Sequence, residues 1–254
     1  MLELYHSGLS ANSLKVRLCL AEKGVSYQGH FIDLHTFEQH GDEYLAINPD
    51  GQIASLIHDG QVITKSTVIN ENLEDQFPGP PLRPKDVFSR ARMRQWSKLV
   101  DESLFPAASM IGWQRRVRII VQALGEDELG QMLARVPHRE KRDKWAAAAH
   151  PDGFSDEELA GSRQRIGGFA ARMETGLKEA GPWLAGADYS LTDINTLPWL
   201  HLLVPGILDE ATTPHLLDWL SRIQARGTVQ KTYAVSDEAP AHKHETVVRA
   251  RLGG

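Results

Sequence analysis

The feature that most constrains this chain is a proline cluster, Pro78-Gly79-Pro80-Pro81 followed by Arg83-Pro84, which separates two kinds of sequence. Proline removes a backbone donor and fixes φ, so neither helix nor strand runs on through such a stretch. Before it the apolar pattern switches between strand and helix. After it strand signals all but vanish. The expected organisation is an α/β domain over residues 1–80, a linker over 81–88, an all-helical domain over 89–235 and a polar tail over 236–254.

In the first part, Leu2 to Tyr5 reads as a strand, Leu14 to Glu22 as a helix ended by Gly24, and Tyr27 to Leu34 as a second strand. Such a β-α-β opening implies a parallel pair with a right-handed crossover. Asn48-Pro49-Asp50-Gly51 is a turn signal, and Asp59-Gly60 between Ile53–His58 and Gln61–Thr64 marks a hairpin. Ser66 stands at an N-cap position before a helix over Thr67–Phe77. In the second part, helices are expected over Phe88–Met110 (interrupted or bent near Pro106), Arg115–Leu124, Glu126–Arg135, Asp156–Glu179, Leu191–Leu203 and Pro214–Arg226. Gly167-Gly168 would allow close helix packing. No role is evident for the extra helical segment around residues 125–153.

The net charge of -5 supplies no cationic field for phosphates, so nucleic acid is not an expected partner. No run of about 18 apolar residues occurs, so no membrane span is expected. The opening MLELYHSG lacks the basic and apolar regions of a secretory signal. The single cysteine, Cys19, falls on an apolar helix face and is expected to be an inert core thiol, which suits a reducing cytoplasm. The eleven histidines show no metal-ligand spacing, and His242 and His244 fall in the polar tail.

Three stretches resemble the glutathione transferase superfamily: Asn48-Pro-Asp-Gly-Gln-Ile-Ala-Ser-Leu56, Ile63-Thr-Lys-Ser-Thr-Val-Ile69 and Trp183-Leu-Ala-Gly-Ala-Asp-Tyr-Ser-Leu-Thr-Asp-Ile194. In the third, Ser190 and Asp193 are placed for a reciprocal cap, each side chain meeting the other's backbone N–H. Shorter runs are similar to the bacterial β-aryl-ether-cleaving branch, the β-etherases. They include Ala11-Asn-Ser-Leu-Lys15, Phe37-Glu-Gln-His40, Leu73-Glu-Asp-Gln-Phe-Pro78, Arg92-Met-Arg-x-Trp96 and Ile111-Gly-Trp113. The resemblance implies a thioredoxin-like N-terminal domain, an all-α C-terminal domain, glutathione as co-substrate, an aromatic small molecule as substrate, and a dimer with itself or with a related transferase chain.

It also implies site residues. Asn12, with Ser13 as its alternative, stands where the family holds the glutathione sulfur at the start of the first helix, although both residue types are also ordinary helix caps. Gln39, Gln52, Ile53, Lys65 and Ser66 correspond to the glutathione-contacting set. Met110, Ile111 and Trp113 are candidates for the aromatic pocket or, equally, for bundle core. Arg116 is a candidate for a polar substrate group. In a β-etherase the thiolate displaces an aryloxide from a carbon next to a ketone, and the phenolate, a far weaker base than an alkoxide, needs little acid help.

Two positions depart from the family pattern. Ala54 replaces the cis-proline that follows Ile53, and a cis bond before a non-proline costs about 2.5–4 kcal/mol. The cost favours a trans bond and a disturbed backbone pairing with glutathione. Lys65 replaces the acidic or amide residue that receives the γ-glutamyl amine, and it would set two cations together unless it turned to the neighbouring carboxylate. Three readings follow: an active etherase with an adapted site, a subunit with a weakened site that supports a related chain, and a ligand-binding or structural protein on a transferase fold.

Overall fold

The structure is a computed structural model that describes residues 1–8, 10–34, 36–201 and 211–238. The chain opens with β1 (Leu2–His6), α1 (Ala11–Lys23) and β2 (Gln28–Phe31). A 3-10 turn (Glu38–His40) and α2 (Asp42–Ile47) lead into β3 (Ser55–His58), β4 (Gln61–Thr64) and α3 (Ser66–Gln76). The sheet order is β2-β1-β3-β4, with β1 and β2 parallel and the other two pairs antiparallel. Leu4 lies opposite both Gly29 and Leu56, which fixes the register at the centre of the sheet. The hairpin turns at Asp59 (φ 47) and Gly60 (φ 79), the two left-handed positions that an Asp-Gly turn supplies.

Beyond the prolines the chain is helical: α4 (Val87–Leu99), α5 (Phe105–Gly112), α6 (Arg118–Gln122), α7 (Glu126–Arg135), α8 (Arg139–Ala149), α9 (Asp156–Ala180), α10 (Leu191–His201), α11 (Pro214–Gln224) and α12 (Gly227–Glu238). The architecture is the expected α/β domain followed by an all-α domain. The interruption expected near Pro106 is a π-helical turn at Val100–Leu104, just before α5, and a second follows α5 at Trp113–Val117. Each widens one turn and so rotates the face that the next turn presents. Pro106 stands in the first turn of α5 and has no N–H to offer the preceding turn, where the Phe105 N–H reaches back to the Val100 carbonyl in π-helical spacing.

Other expectations need correction. Ser66 is the first residue of α3, and the N-cap is Lys65, whose backbone (φ 68) lies outside the helical region. Helices α2 and α12 were not expected, and α8 lies in the segment 125–153 that the sequence marks as helical without giving its bounds. A Cβ at Gly167 or Gly168 would meet nothing within 4 Å, so neither mediates close packing. The tight approach is at Gly176, where a Cβ would lie 2.8 Å from the Trp96 ring. His242 and His244 lie outside the described residues, as does the end of the helix expected to reach Leu203.

Helix α1 is covered on both sides, by the sheet and α3 and by α10 and α12 of the second domain. Its apolar residues Val16, Leu18, Cys19 and Leu20 are fully buried in a core that continues through Leu73, Leu82, Met93 and Trp219. Its charged residues are therefore buried too, and each has an answer. Lys15 Nζ lies 2.8 Å from Asp101, Arg17 donates to the Thr232 carbonyl at 3.3 Å, Lys23 Nζ lies 2.9 Å from Glu74, and Arg226 meets Glu22 through two nitrogens. Removing one member of such a pair strands a buried charge, so Lys15–Asp101 and Arg226–Glu22 hold the two domains in register around α1, while Lys23–Glu74 ties α1 to α3 within the first domain. The Cys19 thiol is pushed up by burial, in keeping with an inert core thiol.

Candidate functional site

The start of α1 opens on a cleft between the domains with a volume of about 360 Å³. Ser10 caps the helix, its Oγ accepting from the Ser13 N–H at 3.3 Å, which leaves Ala11 and Asn12 on the cleft wall. The N-terminus of α3 arrives beside it, and Ser66 Oγ donates to Asn12 Oδ1 at 3.2 Å. Two helix starts thus converge, and each presents partial positive charge there.

Gln39, Gln52 and Ile53 form the N-domain wall with Asn12, while Ile111 and Trp113 stand on the helical wall. Lys65 reaches this wall only through Gln52, to whose Oε1 it donates at 3.3 Å. Ser13 is turned inward, fully buried, its Oγ accepting from the Ser7 N–H at 3.1 Å. Met110 is turned into the bundle, where its sulfur accepts from Ser162 Oγ at 3.2 Å. The side chain of Arg116 lies outside the described residues, and its neighbour Arg115 lines the cleft.

The Ile53–Ala54 bond is cis, contrary to the trans bond expected. Both flanks of this bond are clamped by groups from α2 and the turn after it. Tyr44 OH and Asn48 Nδ2 each donate to Gln52 O at 2.6 Å, and both also reach Ser55 Oγ, at 2.8 and 3.3 Å. These contacts span only four to eleven residues, so the turn that begins at Asn48 carries its own clamp.

Lys65 does not stand as a bare cation. Its Nζ lies 2.5 Å from Asp50 Oδ2, and His138 Nε2 lies 3.0 Å from Asp50 Oδ1. Hydrogen bonds from Lys65 and His138 hold the Asp50 carboxyl down at about 2. Lys141 adds a bond from its Nζ to the Asp50 carbonyl oxygen at 2.6 Å. A carboxylate displaced by fifteen positions thus answers the altered residue.

Sequence reasoning missed the wall made by α8. Lys141, Lys144 and Trp145 lie at i, i+3 and i+4 on one helix face and all line the cleft. That spacing was the available signal. Trp145 packs on Trp113 (centroids 4.3 Å apart) and on Phe37 (4.9 Å), so a small second core with Val121, Met132 and Val136 ties α7 and α8 to the first domain. His40 is buried against Trp145, and burial, with Lys141 and Arg135 nearby, lowers its pKa to about 4. Two buried polar atoms on the cleft residues, Gln39 Oε1 and His40 Nδ1, make no hydrogen bond. Among the described residues no three His, Cys, Asp or Glu side chains cluster as a metal site, and no helix is long and apolar enough to cross a membrane.

Residues 1–75 match the family described as glutathione S-transferase, N-terminal domain. Protein LigF of Sphingobium sp. (strain NBRC 103272 / SYK-6) is 40% identical over 244 residues, spanning 92% of this chain and 94% of that protein. Glutathione S-transferase 3 of Zea mays is 28% identical over 243 residues, 92% and 93% of the two chains. The crystal structure of beta-etherase LigF from Sphingobium sp. strain SYK-6 superposes with a TM-score of 0.86 at 39% identity, covering 92% of this chain and 98% of that one. With a two-domain fold, converging helix starts and a relative this similar over nearly its whole length, the chain belongs to the glutathione S-transferase family.

Proposed function

We propose that this chain is a glutathione-dependent β-etherase that cleaves β-aryl ethers of lignin-derived aromatic ketones with its own site. The observation that carries the reading is the cleft itself, polar at two converging helix starts and aromatic on the facing wall. The similarity to LigF over nearly the full chain supports the substrate class.

The residues present fit glutathione. Gln39 Oε1 is a buried acceptor on a cleft residue without a partner, a costly state of about 1–3 kcal/mol that a peptide's N–H group would relieve. Gln52, the Ile53 backbone and Ser66 complete the polar set, and the Asp50–Lys65 pair removes the charge conflict. Glutathione, when bound, supplies the thiolate that displaces an aryloxide from the carbon next to the ketone.

Asn12 and the start of α1 hold the negative charge of the sulfur. Because Ser66 Oγ occupies Asn12 Oδ1, the amide NH2 of Asn12 is the end left to donate. Trp113 and Trp145 hold the aromatic rings and exclude water, so that positioning does most of the work. The single buried Cys19 and the use of glutathione support a cytoplasmic setting.

One observation favours a second reading, a silent subunit paired with a related chain: Lys65 still departs from the family residue. The experiment is to incubate the purified chain alone with glutathione and an α-aryloxy ketone and to measure the released phenol and the glutathione thioether. Stoichiometric release of both is expected. Release only after a related transferase chain is added would instead establish the silent subunit. No release in any pairing, with an unrelated apolar ligand bound, would leave a ligand-binding protein.

A further inference from the structure

Helix α8 brings into the cleft an amine that no carboxylate answers among the described residues. Lys144 lies half-buried on the helical wall, its Nζ 2.9 Å from Ser109 Oγ and 4.4 Å from the centre of the Trp113 ring. Burial alone lowers its pKa, to about 8, with no acidic group acting on it. The cleft's other lysine cluster is balanced by Asp50, and the buried lysines of α1 by Asp101 and Glu74. A partly dry ammonium over an aromatic face, lacking a counter-ion, is suited to meet a ligand oxygen that carries negative charge.

The position says which oxygen. In a displacement at carbon, the leaving group departs opposite the entering sulfur. Asn12 stands on the N-domain wall, whereas Lys144, Trp113 and Trp145 stand on the helical wall, where the departing ring would be held. We propose that Lys144 protonates the aryloxide oxygen as it leaves, an inference that rests on the etherase reading. The sulfur–carbon bond forms as the carbon–oxygen bond breaks. The oxygen keeps the electron pair and takes a proton from Nζ, and the neutral amine regains one from water. Nothing is oxidised or reduced.

An amine that titrates near the working pH suits a proton donor. Ser109 Oγ, accepting from Nζ, fixes its direction. Arg115 and Lys141 are the other cations on the cleft wall, and Lys141 is already engaged with the Asp50 carbonyl. The help is small for an acidic phenol and grows as the phenolate becomes a stronger base.

The test compares the wild-type chain with Lys144→Met and Lys144→Gln on two α-aryloxy ketones, one that releases a nitrophenol and one a methoxyphenol. Both variants are expected to lose about 100-fold in kcat with the methoxyphenol ether and under about 5-fold with the nitrophenol ether. Glutathione affinity by calorimetry is expected to be unchanged. A second readout needs no turnover: the absorbance of added p-nitrophenol is titrated with protein, and the wild type should favour its phenolate while both variants do not. Equal losses for the two ethers, or none, overturn the proposal. If the wild type cleaves neither ether but binds phenolate through Lys144, the etherase reading falls and the aryloxide site stands. Phenolate binding that is equal in all three proteins removes the site.

Discussion

Lys65 Nζ and Asp50 Oδ2 lie 2.5 Å apart at the rim of the cleft, a lysine where the resemblance implies an acidic or amide residue and a carboxylate brought to it from the preceding turn. The pair explains how the site can accept a residue that would otherwise repel the γ-glutamyl amine. Asp50→Asn would release Lys65 beside Ser66, with Lys141 and His138 adding positive charge nearby. Glutathione affinity measured by calorimetry should fall about 5-fold, on the order of 1 kcal/mol for a pair this exposed. Adding Lys65→Gln to that variant should restore it. Unchanged affinity in Asp50→Asn would mean that the pair plays no part in binding.

Asn12 and Ser13 are adjacent in sequence but face opposite ways, and this separates their roles. Asn12 lines the cleft, whereas Ser13 Oγ accepts from the Ser7 N–H inside the domain. Asn12→Ala should raise the pKa of enzyme-bound glutathione by about one unit, and Asn12→Asp by more, because a carboxylate opposes the thiolate. The ultraviolet absorbance of the thiolate, followed against pH, reads this directly. Ser13→Ala should leave that pKa in place and lower stability by about 1 kcal/mol. The opposite pattern would make Ser13 the sulfur's partner.

The parts of the fold legible in the sequence are those set by local chemistry. Asp59-Gly60 announces a turn because both positions need positive φ, and Gly24 (φ 67) ends α1 for the same reason. The bounds of α8 were hidden because only Trp145 and Ala148 of its eleven residues are buried, too thin an apolar stripe to read among its charges. The π-helical turns are silent because their backbones stay near helical values, as at Trp113 (φ -65, ψ -46). In the site, Asn12, Gln52 and Trp113 were legible through resemblance. The answering Asp50 and the wall built by Lys141, Lys144 and Trp145 were not, since each depends on chain folded in from far away.

Two buried imidazoles give the stability a definite pH dependence. Burial lowers both His6 and His40 to about 4, assisted by Arg17 and His30 at the first and by Lys141 and Arg135 at the second. The unfolded chain binds protons on these side chains near pH 6.5 and the folded chain does not until about pH 4. Stability is therefore complete above the unfolded value and is lost as pH falls between the two. The Tm should drop mainly across that window, and His40→Gln should flatten the drop. A Tm that is constant down to pH 4 would show that neither ring is held neutral.

Asp193 tests how much one residue can hold together at the domain's centre. The sequence suggested a reciprocal cap with Ser190, and half of it forms: the Ser190 N–H donates to Asp193 Oδ2 at 2.9 Å. The Ser190 hydroxyl, however, donates to the same oxygen at 3.1 Å rather than accepting from the Asp193 N–H, which turns to the Ser190 carbonyl. The other carboxylate oxygen accepts from the Leu184 N–H at 3.0 Å and from Trp219 Nε1 at 2.8 Å. Burial raises the Asp193 pKa, and the four donors oppose that shift. Asp193→Ala would strand the Leu184 and Ser190 amides and the Trp219 indole in the core, for a loss of about 3 kcal/mol or more in urea unfolding. Asp193→Asn keeps acceptor capacity on one side only, so it should fall between the two. Equal losses in both variants would mean that the charge, rather than the count of accepted bonds, is what the four donors require.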